Sequence, residues 1–144
     1  MQESELPIYG QGDATYKAAG ELDGITAMVD RFYERMGTLP EAKTLRKIHP
    51  ADLTVARRKL TYFLSGWMGS PKLFKEHYGP IVIPDAHKHF PVDMDSKNAW
   101  LKCMEQALID LDYPESFRHY LIEKLAIPAE SIRLMAEHEA KYKA

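Results

Sequence analysis

Apolar residues recur every three or four positions over most of the chain, which is the spacing of one face of an α-helix. From Leu22 onward this rhythm predicts an amphipathic helix with Asp23 as its N-cap and Gly37 as its stop. A short helical turn over residues 16–19 is expected ahead of it. A second amphipathic helix, capped by Asp52, carries these residues on one face: Leu53, Ala56, Leu60, Phe63, Leu64 and Trp67.

The pattern breaks in the middle of the chain and then resumes. Residues 79–92 hold three prolines and a glycine, which predicts a loop-rich segment. Beyond it a long helix is expected to run to about Asp112, capped by Asp93, Asp95 or Ser96. Its apolar stripe includes Trp100, and loops ahead of such a helix are where functional residues tend to lie.

Prolines are expected to set the remaining helix ends. Pro40 opens a short helix that stops before the His49-Pro50 pair, and Pro114 lies at the first turn of a last helix. Pro128 is predicted to interrupt that helix, with a further helix following to about residue 138. Strand alternation is missing throughout, so the fold class is predicted to be all-α, with residues 1–14 as a flexible N-terminal extension and residues 15–144 as a single domain.

Composition narrows the function classes. A chain of 144 residues with 45% hydrophobic and 28% charged residues can bury one ordinary core. A net charge of -2 and a pI near 6.3 argue against a nucleic-acid partner. The sequence lacks an apolar run of the ~20 residues that a membrane helix needs, and its acidic start does not resemble a signal peptide. With one cysteine, a cytoplasmic location is expected.

Few chemical motifs remain. The six histidines form no His-x-x-x-His pair and Cys103 has no cysteine partner, so a structural zinc site is not supported. Glycine-rich phosphate loops are missing as well. Cys103 lies on the apolar stripe of a helix, which favours a core residue over a nucleophile.

The sequence His87-Lys88-His89-Phe90-Pro91-Val92 sets imidazoles beside an aromatic residue, a combination that can ligate a haem iron. Taken alone, a histidine in a proline-rich loop is more often solvated than a ligand. The spacing of His87, Phe90 and Trp100, together with Phe32-Tyr33 upstream, resembles the group II truncated haemoglobins. In that family two residues separate the proximal histidine from a phenylalanine, and a tryptophan follows about ten residues later. His87 fits this pattern and His89 does not.

The resemblance implies a two-on-two helical sandwich that binds haem b (iron protoporphyrin IX), with His87 as the iron ligand in the loop-rich proximal segment. It implies that Tyr33 and Trp100 donate hydrogen bonds to the ligand, although Phe32 and Tyr33 also suit a plain aromatic core. His49 precedes Pro50 where relatives often have tyrosine or phenylalanine, and is either a further donor or a solvent-facing loop histidine.

The resemblance also assigns the walls of the cofactor pocket. These are Phe32, Ala56, Leu60, Phe63, Leu64, Phe90 and Lys88. Ala56 stands where many globins have a distal histidine. The arginines that pair with the haem propionates in many relatives are missing, which leaves Lys88, Arg57 and Lys59 as candidates.

The function implied is binding, or transport, of O2 and other small diatomic ligands such as NO and CO. An enzyme for NO dioxygenation or peroxide reduction, served by an unidentified reductase, is the first alternative. A haem-free helical interaction module is the second. A monomer or a homodimer is expected, without nucleic-acid or membrane partners.

Overall fold

The computed structural model describes residues 9–69, 73–78 and 93–143, and every regular element in these ranges is helical. The all-α prediction is therefore confirmed. The elements are α1 (Ala14–Ala19), α2 (Glu21–Thr38), a 3₁₀ turn (Pro40–Ala42), α3 (Lys43–Lys47), α4 (Thr54–Trp67), α5 (Leu73–Tyr78), α6 (Met94–Asp110) and α7 (Glu115–Lys143).

Two pairs of long helices form the body of the molecule. Helix α2 packs against both α4 and α6, and α6 packs against α7. The apolar stripes predicted from the sequence meet between these pairs, and the largest side chains with no exposed surface there include Phe32, Met28, Leu64, Met104, Leu108 and Phe117. None of the described helices is long and apolar enough to cross a membrane.

The joint between α1 and α2 depends on close backbone contact. Gly20 adopts φ 96°, a left-handed conformation that costs glycine little, and it ends α1 and begins α2 at once. A Cβ at Gly24 would lie 2.0 Å from the carbonyl oxygen of Ala19, so only glycine fits there. The hydroxyl of Tyr113 donates to that same carbonyl. Asp23 therefore lies inside the first turn of α2 and the prediction that it is the N-cap is wrong.

Acidic side chains bond to backbone amides at the starts of α4 and α6. The N-cap of α4 is Leu53, which makes no side-chain cap, so the prediction that Asp52 caps this helix is wrong; the Asp52 carboxylate instead accepts a hydrogen bond from the amide of Thr54 at 2.9 Å. The amide of Ser96 donates to Asp93 at 2.8 Å, which makes Asp93 the N-cap of α6. The predicted stop at Gly37 falls one residue short, because α2 ends at Thr38.

Helix α7 runs without a break through Pro128, so the prediction that it is interrupted there is wrong. Proline removes one backbone N–H, so the carbonyl four residues earlier, on exposed Lys124, loses its usual helical partner. Ion pairs beyond the proline support the helix: Arg133 bonds to Glu130 at 2.5 Å, and Lys97 on α6 reaches the same carboxylate at 3.4 Å.

Asp110 at the end of α6 ties this helix to α2. Its carboxylate accepts hydrogen bonds from Arg35 Nε at 2.6 Å and Arg31 Nε at 2.7 Å, and from Gln106 at 3.2 Å. The hydrogen bond from Arg35 is the largest of the effects that hold the pKa of Asp110 well below its usual range. The cluster clamps the end of α2 that follows Phe32 and Tyr33.

One residue of the predicted N-terminal extension, Tyr9, packs against α7. The ring of Tyr9 lies 5.1 Å from that of Tyr120 and 5.7 Å from that of Phe117, and its hydroxyl bonds to Ser116 at 3.1 Å. Residues 1–8, where the rest of the predicted flexible segment falls, lie outside the described residues.

Candidate functional site

Helices α2 and α6 bring three of the predicted site residues together. Phe32 is fully buried, and its ring centroid lies 4.9 Å from that of Tyr33 and 5.0 Å from that of Trp100. Tyr33 is 6% exposed, whereas Trp100 on α6 is half-buried. Phe32 therefore contacts two aromatic side chains, and each of these has one group that can donate a hydrogen bond.

His49 joins this group from the turn after α3. Its ring centroid lies 6.0 Å from that of Tyr33, with the ring planes at 73°. Its Nδ1 lies 2.9 Å from the carbonyl oxygen of Leu45, and because a carbonyl can only accept, Nδ1 carries the proton of that bond. In the neutral ring Nε2 is therefore an acceptor, and it becomes a donor only when the imidazole is protonated.

Arg46 holds the turn that carries His49, a role that sequence reasoning missed. Its guanidinium donates to the carbonyl oxygens of Pro50 at 3.1 Å and Ala51 at 3.2 Å, with a longer contact of 3.4 Å to that of His49. A basic residue in the last turn of a short helix is the signal that could have indicated such a clamp.

Helix α4 supplies the apolar side of the site. Ala56, Leu60 and Phe63 are half-buried and pack against the core, whereas Leu64 is fully buried within it. The residues predicted to line a cofactor thus divide into a half-covered face on α4 and two core residues, Phe32 and Leu64, behind it.

Two hydrogen-bond donors in this cluster lack partners among the described residues. Neither the hydroxyl of Tyr33 nor the indole nitrogen of Trp100 makes a hydrogen bond there. Burial raises the pKa of Tyr33 to about 12, an effect that the positive charge of Arg57 partly opposes. The phenol is therefore neutral and keeps its proton available at any physiological pH. Both groups can therefore donate a hydrogen bond to a polar ligand that enters the cluster.

The residues predicted for the proximal side of the site are His87, Lys88 and Phe90. These three residues and His89 lie outside the described residues, which resume at Asp93 ahead of α6. Within the described residues no group of three or more His, Cys, Asp and Glu side chains is arranged to hold a metal ion.

Cys103 is not part of the site. It is fully buried in the core, and burial raises the pKa of its thiol to about 11. The thiol therefore stays protonated and unreactive at neutral pH, so Cys103 is a core residue, as the sequence predicts.

Two surface cavities lie apart from the aromatic cluster. One, of about 320 Å³, is lined by Trp67, Tyr120 and neighbouring residues; the other, of about 480 Å³, lies between α3 and the start of α6. Neither is lined by Tyr33, His49 or Trp100. The candidate site is therefore defined by the cluster of aromatic and polar side chains and not by either cavity.

Known proteins are similar to this chain in both sequence and arrangement of helices. The sequence model of the family described as Bacterial-like globin matches residues 14–133. The group 2 truncated hemoglobin YjbI of Bacillus subtilis (strain 168) is 33% identical over 127 residues, which is 88% of this chain and 93% of that protein. The chain belongs to the group II truncated haemoglobins.

Solved structures of this globin class agree. The cold-adapted truncated haemoglobin of Pseudoalteromonas haloplanktis TAC125 superposes with a TM-score of 0.78 at 31% identity, over 82% of this chain and 95% of that chain. The group II truncated haemoglobin of Bacillus anthracis superposes with a TM-score of 0.76 at 30% identity, over 89% of this chain and 92% of that one. The predicted two-on-two sandwich is thereby confirmed.

The described side chains fit the haem that this globin family binds. Haem needs an apolar slot with a few donors aimed at the ligand. The half-covered apolar face of Ala56, Leu60 and Phe63 would supply one wall, and the hydroxyl of Tyr33 and the indole of Trp100 would supply the donors. Membership of the family makes this a haem-binding globin, and globins bind small diatomic ligands.

Proposed function

We propose that this globin binds O2 and related small diatomic ligands at haem b, with His87 as the proximal iron ligand. Haem, when bound, would supply an iron to which the ligand binds, and His87 would hold that iron. Neutral imidazole is the commonest protein ligand of a metal, and the spacing of His87 to Phe90 and Trp100 selects it over His89.

The observation that carries the proposal is the hydroxyl of Tyr33. The Tyr33 side chain is 6% exposed, its phenol is neutral, and its hydroxyl has no hydrogen-bond partner among the described residues, so the hydroxyl is available to donate to an acceptor that enters the site. A polarised diatomic ligand is such an acceptor, and a hydrogen bond to it slows its release. One relative, the truncated haemoglobin of Bacillus subtilis, is described as oxygen-avid, in keeping with this reading.

Trp100 and His49 complete the polar side. The indole nitrogen of Trp100 can only donate, so it adds a second hydrogen bond to the same ligand. His49 adds a third when its ring is protonated, because its Nδ1 proton is already committed to Leu45.

The apolar residues exclude water from the ligand. Ala56, Leu60 and Phe63 form the wall on α4, and Ala56 leaves room where a longer side chain would reach the ligand. Phe32 and Leu64 support this wall from the core, and Phe90 and Lys88 are proposed for the proximal side. Excluding water strengthens each hydrogen bond that Tyr33 and Trp100 make.

Haem retention in two histidine variants tests the proposal. His87→Ala is expected to lose most of its haem on gel filtration, because the iron loses its axial imidazole. His89→Ala, a matched change two residues away, is expected to retain haem like the wild type. Equal retention in the two variants would overturn the proximal assignment.

A further inference from the structure

The turn that carries His49 is only weakly held by its own backbone. The amide of Ile48 lies 3.3 Å from the carbonyl oxygen of Leu45, beyond the usual range of such bonds. The amide of His49 lies 3.2 Å from the carbonyl oxygen of Arg46, at the long end of that range. Pro50 has no amide hydrogen to add a further bond. Side chains therefore have a large share in fixing this turn.

The side chain of Arg46 spans the turn. Its Nη1 donates to the carbonyl oxygen of Pro50 at 3.1 Å and its Nη2 to that of Ala51 at 3.2 Å. The same Nη1 also lies 3.4 Å from the carbonyl oxygen of His49. A guanidinium carries its donors in a rigid plane, so one side chain can hold several carbonyl groups at once, whereas an ammonium is a single point of contact.

The ring of His49 is fixed from a second direction. Its Nδ1 donates to the carbonyl oxygen of Leu45 at 2.9 Å, while the backbone that follows it is held by Arg46. Between these two anchors the ring stands 6.0 Å from the ring of Tyr33, centroid to centroid. A shift of the turn would therefore move the imidazole relative to Tyr33.

We propose that Arg46 is a positioning residue of the ligand site, which holds His49 beside Tyr33 and so slows ligand release without contacting the ligand. The inference rests on the proposed function, because it needs His49 to act on the ligand. Without the bonds from Arg46, the turn after α3 has more conformations available, and His49 spends less time in its place beside Tyr33.

A double-mutant cycle on O2 release tests this role, with rates measured by stopped-flow displacement of O2 by CO. Arg46→Gln is expected to release O2 about threefold faster than the wild type, the order expected when one hydrogen bond is weakened. In the His49→Phe background the same change is expected to add little, because the imidazole that Arg46 positions is already gone. Such non-additivity is the signature of residues that act through one another.

Two single variants separate positioning from net charge. Arg46→Lys keeps the charge but offers only one donor group, and it is expected to recover part of the wild-type rate. Lys47→Gln is the matched control on the exposed neighbour: it removes the same charge from the same turn of α3 and is expected to leave O2 release unchanged.

The outcomes distinguish this inference from the proposed function. A wild type that retains no haem overturns both. If the wild type binds O2 but Arg46→Gln releases it at the rate of the wild type or of Lys47→Gln, only the inference is overturned. Equal acceleration by Arg46→Gln in the wild-type and His49→Phe backgrounds also overturns it, because Arg46 would then affect the fold as a whole and not the position of His49.

Discussion

Replacing Tyr33 by phenylalanine removes a single oxygen atom from the centre of the candidate site. The ring is 6% exposed and packs edge-on against Phe32, so the phenylalanine ring fits the same space without a cavity. The hydroxyl makes no hydrogen bond within the described part of the chain. The substitution therefore removes only what the hydroxyl does for a ligand.

The expected effect on O2 release follows from that contact. A hydrogen bond to a charged or strongly polarised acceptor is worth about 1.5–3 kcal/mol. Since each 1.4 kcal/mol changes a rate about tenfold, Tyr33→Phe should release O2 from the ferrous protein at least about tenfold faster. Stopped-flow displacement of O2 by CO measures this rate directly.

Stability in the absence of ligand is expected to respond differently from O2 release. The hydroxyl makes no hydrogen bond among the described residues, so Tyr33→Phe loses no such bond and should unfold at a urea concentration equal to or higher than that of the wild type. Tyr9→Phe is the control, because it removes a tyrosine hydroxyl that bonds to Ser116 far from the site. Unchanged O2 release in Tyr33→Phe, or the same acceleration in Tyr9→Phe, would refute the reasoning.

Three further predictions follow from named contacts. Trp100→Phe should also speed O2 release, with the largest rate in the double variant with Tyr33→Phe; stopped-flow rates equal to wild type in all three proteins would remove the distal donors from the account. Because the Nδ1 proton of His49 is already donated to Leu45, His49→Phe should speed O2 release less than Tyr33→Phe does; an equal or larger acceleration would contradict this. Asp110 has a folded-state pKa below its unfolded value, so it stabilises the protein above the unfolded pKa, and this contribution is lost as pH falls below about 4. Asp110→Asn should therefore lower the free energy of unfolding at pH 7 by about 1–2 kcal/mol and lessen its decline in acid; equal urea midpoints at pH 7 would contradict this.

The long helices could be read from the sequence because each buries one apolar stripe. Six apolar residues of α2 repeat at helical spacing and are all buried: Ile25, Met28, Val29, Phe32, Tyr33 and Met36. Helix caps were harder to predict from the sequence. Asp93, Asp95 and Ser96 all lie near the start of α6, and only the folded backbone selects Asp93. The prediction that α7 is interrupted at Pro128 is wrong, because ion pairs beyond the proline, including one from Lys97 on α6, help the helix to continue without that hydrogen bond.

Among the polar residues of the site, some could be predicted from the sequence and others could not. Tyr33, Trp100 and His49 were found through family spacing, which records positions along the chain. The bonds of Arg46 to the turn after α3 and the contact of Arg57 with Asp30 could not be predicted from the sequence, because a long flexible side chain can reach many partners and packing decides its direction. Which carbonyl Arg46 reaches, and that Arg57 lies beside Asp30, depends on how α3 and α4 are set against α2.

Absorption spectroscopy of the purified protein, expressed with ample haem, tests directly whether this chain binds the cofactor. A Soret band is expected in the wild type, with a haem b signature in pyridine and a shift of the Soret band when CO is added to the reduced protein. A protein that folds as a helical globin but shows no Soret band would contradict the account and favour a haem-free helical interaction module.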